Sequence, residues 1–244
     1  ISGPDDALAG AMDIIAEQVA EDAAVRALAR KYLGANAQIE CRKRRIAPED
    51  SPYTQYYDYS ESLAQMPPHR TLAINRAERE LGPVDIYVSN AGLGVTDGPG
   101  WGAADAPNES WEICWNVNVM ASVYAARHLA RPMARRGGRF VITASAAGLL
   151  AQIGDTPYSA TKAAAVSLAE CLAIAHGDDG LNVHCLCPEG VKTPLVEGVE
   201  GGAQGLSGYL EADEVARILI DAFAAERFLV TTHENTAGYV AHKG

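Results

Sequence analysis

From about residue 83 to its end the chain alternates short apolar runs with helix-like segments, and this alternation limits its fold more than any other feature. VDIYVSN (84–90), RFVITAS (139–145), LNVHCLC (181–187) and FLVTT (228–232) read as strands. Between them lie helical stretches over Ser110 to Arg135, Tyr158 to about Ala175, and 211–228. Asn108 is placed to cap the first, and Gly177 closes the second. The runs are continuously apolar rather than alternating, as in strands covered on both faces. The expectation is an α/β fold: a parallel Rossmann-like sheet with crossover helices.

The first eighty residues read differently. Residues 6–33 are alanine-rich and periodic, hence helical, with Gly34 as a stop. Residues 46–69 carry Pro48, Pro52, Pro67 and Pro68 among tyrosines and read as loop, and 69–81 is helical again. No pair of buried strands is visible there. The expected organisation is a mostly helical N-terminal segment, 1–78, followed by the sheet-bearing part, 79–244.

Composition excludes several function classes. The net charge of −11 argues against a nucleic-acid surface, and the basic run Arg42-Lys43-Arg44-Arg45 reads as a solvated turn. The five cysteines are odd in number and lack zinc-type spacing, and the six histidines form no HExxH pattern. No metal is expected, and a reduced cytoplasmic compartment fits. No apolar run reaches transmembrane length and no signal peptide is read, so no membrane partner is expected. The chain opens at Ile1, as a fragment or an engineered protein would.

One short motif carries chemistry. In YSATK (158–162), Tyr158 and Lys162 are four residues apart and share a helix face. A tyrosine ordinarily titrates near pH ~10, and a fixed ammonium beside it would lower that value. Ser145 ends the strand 139–145, thirteen residues earlier, on the sheet edge where such folds bind ligands. Asn118, in WNVNVMAS, and Asn90-Ala91-Gly92, at the end of the first strand, belong to the same edge. Structural roles compete: Ser145 as a strand-end cap, Asn118 as a helix asparagine satisfied by backbone.

These elements resemble the short-chain dehydrogenase/reductase family over about residues 76–244. The matching residues are Asn90-Ala91-Gly92, Asn118, Ser145 in TASAAG, Tyr158 with Lys162, and the segment Pro188 to Thr193, where the usual Pro-Gly becomes Pro188-Glu189-Gly190. The resemblance implies NAD or NADP as cofactor and interconversion of a small-molecule alcohol and a ketone or other carbonyl. It implies that Tyr158 exchanges the proton and Lys162 lowers its pKa and holds the nicotinamide ribose. Ser145 would bind the substrate oxygen, and Asn118 would hold a relay water. Asn90, Ala91, Gly92, Pro188, Gly190, Val191 and Thr193 would line the cofactor, with Thr193 at the nicotinamide amide. Residues 196–208 would be the lid, or an idle loop, and the helices 110–135 and 158–175 would build a homodimer or homotetramer.

The family's TGxxxGxG phosphate turn has no counterpart. No threonine precedes a glycine, and the first eighty residues hold only Gly3, Gly10 and Gly34. Gly94, Gly98 and Gly100 match GxxxGxG, but Pro99 interrupts them and no helix opens at the third glycine. Residues 6–80, above all 56–80, instead resemble part of the N-terminal helical region of Tex-type transcription accessory proteins, a family linked to RNA binding. RAERELG (76–82) suits both families. The expectation is a chimera whose reductase turnover is impaired, with strand 84–90 left for the N-terminal helices or a second copy to cover. The rival is a non-catalytic interaction protein whose helical segment binds RNA or a partner.

Overall fold

The computed structural model describes residues 72–98, 102–196, 205 and 207–243. The chain divides into residues 1–41 and 42–244, and every described residue belongs to the second unit. The expectations for residues 6–69, including the helix 6–33 and the basic run, lie outside the described residues.

The described chain runs α1 (Leu72–Leu81), β1 (Ile86–Ser89), α2 (Asn108–Trp115), a π-helical turn (Asn116–Met120), α3 (Ala121–Ala134), β2 (Arg139–Thr143) and α4 (Ala146–Leu150). It continues with α5 (Thr156–His176), β3 (Asn182–Cys187), a 3-10 turn (Pro194–Val196), α6 (Ala212–Ala224), β4 (Leu229–Thr231) and α7 (Asn235–His242). All strands are parallel, in the order β1-β2-β3-β4, with Ile86 opposite Arg139 and Arg139 opposite Asn182. Each crossover carries helices, as the alternation of apolar runs requires. Among the described residues, β1 has only β2 beside it.

Side chains alternate across the sheet. Phe140, Ile142, Val183, Cys185 and Cys187 meet α3 and α5, whose inner faces are mostly small: Ala125, Ala126, Ala130, Ala165 and Ala169. On the other side, His184 stacks on Phe223 of α6 at 4.7 Å. Small residues let the helix backbones approach the sheet closely, at the density of protein interiors. Helix α1 is part of this body. Ile74 packs against the core, and the His128 ring lies 3.7 Å from Glu78. Residues 78 and 79, the expected domain boundary, both lie within α1.

The structure departs from the sequence reading at several ends. Asn108 is not a cap: it is the first helical residue, Pro107 holds the cap position, and no side chain bonds there. The single helix expected over 110–135 is two helices joined by the π-turn, where the Ala121 amide donates to the Asn116 carbonyl. The helix holding YSATK opens at Thr156 rather than Tyr158. The helix expected to reach 228 stops at Ala224, two residues before Glu226 takes a left-handed φ of 51°. Helices α4 and α7 were not expected.

Candidate active site

The site forms where β1, β2 and β3 end. Ser145 follows β2 and is the N-cap of α4, with its Oγ accepting from the Ala147 amide at 3.1 Å. The same hydroxyl donates to the Pro188 carbonyl at 3.4 Å and stands near enough to the Tyr158 side chain to lower its pKa. Capping and membership of the site are thus one arrangement. A Cβ on Gly148 would fall 2.6 Å from the Lys162 backbone, so glycine is what allows α4 to lie this close to α5.

Lys162 is 3% exposed, and its Nζ donates to the Thr143 carbonyl at the end of β2, at 2.8 Å. Burial pushes its pKa down to about 8, with the Cys187, Cys185 and Cys114 thiols acting in the opposite direction. Its ammonium lies over the Tyr158 ring, 5.6 Å from the centroid. The Tyr158 pKa is raised, not lowered as expected from the sequence. Burial is the main cause; the Ser145 hydroxyl lowers it, while Asp155, Cys114 and Cys187 raise it. Lys162 donates to a carbonyl, stands 5.6 Å from the ring centroid and is not among the groups that shift Tyr158, so desolvation of the phenol decides the sign.

Asn118 lies in the π-turn, 3% exposed. Its Oδ1 accepts from the Leu93 amide at 2.8 Å, and its Nδ2 donates to the Leu93 carbonyl at 3.0 Å and to Thr161 Oγ1 at 2.9 Å. Both amide protons are used, so a relay water at Asn118 would donate to one of its oxygens. The side chain binds the stretch after Asn90-Ala91-Gly92 to helix α5. A π-turn is a common device for aiming one residue out of helical register. A Cβ on Gly92 would stand 3.1 Å from Lys162 Nζ and 3.7 Å from Asn118 Oδ1, so glycine is what lets the loop after β1 lie this close to the lysine.

Pro188 touches the site through its carbonyl, which accepts from the Ala146 amide at 2.8 Å and from Ser145. Gly190 and Val191 instead form the neck of the following loop. Leu210 donates to the Gly190 carbonyl at 3.0 Å, and Val191 pairs with Leu210. Thr193 Oγ1 turns back to the Val191 carbonyl at 3.4 Å. Most of the expected lid, 196–208, lies outside the described residues, but Leu195, the residue before it, would meet a Cβ on Gly94 at 3.8 Å, and Tyr158 would meet it at 3.9 Å.

Sequence reasoning missed Thr161 and Asp97, and the contact made by Glu189. Thr161 is fully buried and falls on the stripe of Ala165, Ala169 and Leu172, a pattern visible in the sequence. Glu189, standing at the departure from Pro-Gly, accepts a hydrogen bond from Thr236 of α7. Asp97 carried no local signal, because its partner Thr156 is 59 residues away.

Comparison with known proteins agrees with this geometry. The family model "short chain dehydrogenase" matches residues 53–203, and the model "Tex central region-like" matches residues 1–89. The chain is 32% identical over 146 residues to 3beta-hydroxysteroid dehydrogenase 2 of Eggerthella lenta, covering 57% of this chain and 55% of that protein. It is 30% identical over 149 residues to D-beta-hydroxybutyrate dehydrogenase of Rhizobium meliloti, covering 61% and 56%. The chain thus spans about half the length of the curated relatives it matches. A short chain dehydrogenase/reductase from Burkholderia phymatum, solved in complex with NAD, superimposes with a TM-score of 0.62 at 27% identity, covering 71% of this chain and 69% of that one. The parallel sheet, the Ser145–Tyr158–Lys162 arrangement and the matched family model together make the chain a member of the short-chain dehydrogenase/reductase family.

Proposed function

We propose that the chain is an NAD(P)-linked oxidoreductase that interconverts an alcohol and a carbonyl, with turnover impaired by the lack of a phosphate-binding turn. The observation that carries this reading is the convergence of Ser145, Tyr158 and Lys162 at one strand end. The similarity to dehydrogenases of a hydroxysteroid and of a hydroxybutyrate supports an alcohol or ketone of small-molecule size as substrate.

The residues present fit the nicotinamide half of the cofactor. Gly92 lets the loop after β1 lie against the Lys162 ammonium, whose other N–H groups would suit ribose hydroxyls, and Asn90, Ala91, Pro188, Gly190, Val191 and Thr193 follow β1 and β3 at the same end of the sheet. Among the described residues the pyrophosphate half has no such place. Among the described residues no glycine turn after a strand opens a helix, since the loop with Gly92, Gly94 and Gly98 leads to a helix only at Asn108. The nicotinamide, when bound, supplies or takes the hydride.

The protein's own groups handle the proton. Tyr158 has a raised pKa and is protonated near neutral pH, so it is set to donate to a carbonyl oxygen, the reduction direction. Ser145 orients that oxygen. Lys162 is charged below about pH 8 and holds its place through Thr143. Asn118 holds the loop after β1 through its side chain, and the relay water would donate to one of its oxygens.

The match of residues 1–89 to a Tex central region favours a second reading, a chimeric interaction protein whose N-terminal part binds RNA or a partner. The net charge of −11 weighs against RNA. A cytoplasmic homodimer or homotetramer is proposed with the first reading; among the described residues no helix is long and apolar enough to cross a membrane.

Calorimetric titration with NADH and NADPH tests the choice. The oxidoreductase reading expects cofactor binding and carbonyl reduction slower than roughly 1 per second, reduced about 100-fold or more in Tyr158→Phe. Faster turnover would overturn the impairment. No binding by a folded chain, with salt-sensitive retention of RNA on filters, would favour the second reading.

A further inference from the structure

Helix α5 begins abnormally. Asp155 occupies the N-cap position with φ −135° and makes no side-chain cap bond. Its carboxylate instead accepts from Gln152 Nε2 at 2.6 Å. The first amides of a helix need partners from outside it, usually a local serine or aspartate. Here the partner comes from the loop after β1. Both carboxylate oxygens of Asp97 lie 3.1 Å from the Thr156 amide, and Oδ2 accepts from Thr156 Oγ1 at 2.7 Å. The Asp97 amide donates to the Gly154 carbonyl at 2.7 Å. Asp97 therefore grips residues 154 and 156 with backbone and side chain together.

This grip is buried: Asp97 is 3% exposed. Removing a carboxylate from water is costly unless it is well bonded, and a local side chain could cap a helix without that cost. The distant carboxylate does something a local cap cannot. It ties the loop carrying Gly92 and Gly94 to the turn carrying Tyr158, and a Cβ on Gly94 would stand 3.9 Å from the Tyr158 ring. Charge-assisted bonds at a helix N-terminus are among the stronger and more directional ones.

We propose that Asp97 is a positioning residue, which locks the start of α5 to the loop after β1 and so sets where the Tyr158 hydroxyl stands. The proposal rests on the reading of Tyr158 as the proton-exchanging group. Asp97 touches neither Tyr158 nor Lys162 through any bond described above; it acts through Thr156.

The test needs neither cofactor nor substrate. Tyr158 is titrated by NMR in the full chain with ring-labelled tyrosine, its signal identified with Tyr158→Phe. Thr156 amide exchange is followed in the same samples. The groups facing Tyr158 are Ser145, Asp155, Cys114 and Cys187, with Lys162 over its ring. In Asp97→Ala the start of α5 loosens and Tyr158 gains solvent. Its midpoint is expected to fall toward the ordinary value by about half a pH unit or more, because burial is what raised it. The Thr156 amide is expected to exchange about tenfold faster. Asp97→Asn keeps the shape and one acceptor oxygen and is expected to restore at least part of the Tyr158 midpoint. An unchanged midpoint in Asp97→Ala, even with lowered stability, would overturn the proposal. If Asp97→Ala fails to fold, Thr156→Val decides: it removes only the hydroxyl bond and is expected to move the midpoint the same way by less, and no movement would overturn the proposal. Because no turnover is measured, this result stands apart from success or failure of the oxidoreductase reading.

Discussion

Two loops leave the same end of the sheet and are held in opposite ways. The loop after β1, residues 90–98, contains no regular element, yet distant side chains fix it along its length. Asn118 holds Leu93 from 25 residues away, and Asp97 reaches Thr156. Among its described residues, the loop after β3 is tied at its neck. Val191 pairs with Leu210, Lys192 donates its amide to Leu210, and the Lys192 ammonium meets Glu211. Glu211 is also the N-cap of α6, in a capping box with Glu214, so the neck is fastened to a helix. A stretch that must present its backbone at one place needs partners from outside itself. A stretch that must admit a substrate can be fixed at its base alone.

This contrast can be broken most strongly at Asn118. Asn118→Leu leaves the Leu93 amide, which is held at 2.8 Å, without its acceptor, and takes a donor from Thr161. The expected cost is about 4 kcal/mol, from buried groups left unbonded, read as a lowered urea midpoint with an unchanged slope. A cost below about 1 kcal/mol would mean that the loop after β1 is held no better than the loop after β3.

Lys162, under Gly92, offers a second test through pH. Its folded pKa is about 8 against 10.5 for the ordinary group. The folded state therefore binds fewer protons than the unfolded state between these values, and stability rises with pH across that window. The gain from Lys162 is about 3 kcal/mol for a shift from 10.5 to about 8. Tyr87, pushed up to about 12 by burial, acts in the opposite direction above pH 10. The informative quantity is thus the difference between wild type and Lys162→Met, which is expected to grow in favour of wild type from pH 8 upward. Parallel curves would show that the lysine is better solvated than its position implies.

The smallest effect is expected at the other neck. Lys192→Ala removes a surface ion pair whose partners are each more than half exposed. The unfolding midpoint is expected to stay where it is, while limited proteolysis between Thr193 and Tyr209 speeds up about twofold to fivefold. A lowered midpoint would show that the loop after β3 is bound into the core after all.

The sequence alone determined the parallel sheet, its strands and crossovers, and the pairing of Tyr158 with Lys162, because apolar periodicity and four-residue helical spacing are local properties. It also marked Glu189 as a departure from its family's pattern, though not the contact with Thr236 that accompanies it. Only the tertiary structure decided the rest. The π-turn at Asn116–Met120 has no local signature, and it commits both amide protons of Asn118 to groups that other segments bring near. The raised pKa of Tyr158 reverses what the neighbouring lysine suggests in one dimension, since burial, its main cause, depends on how α5 packs. Asp97 meets Thr156 only because the crossover from β1 to β2 returns the chain to the same end of the sheet. Spacing along a helix is written in adjacent residues; desolvation and remote bonds exist only after the layers have closed.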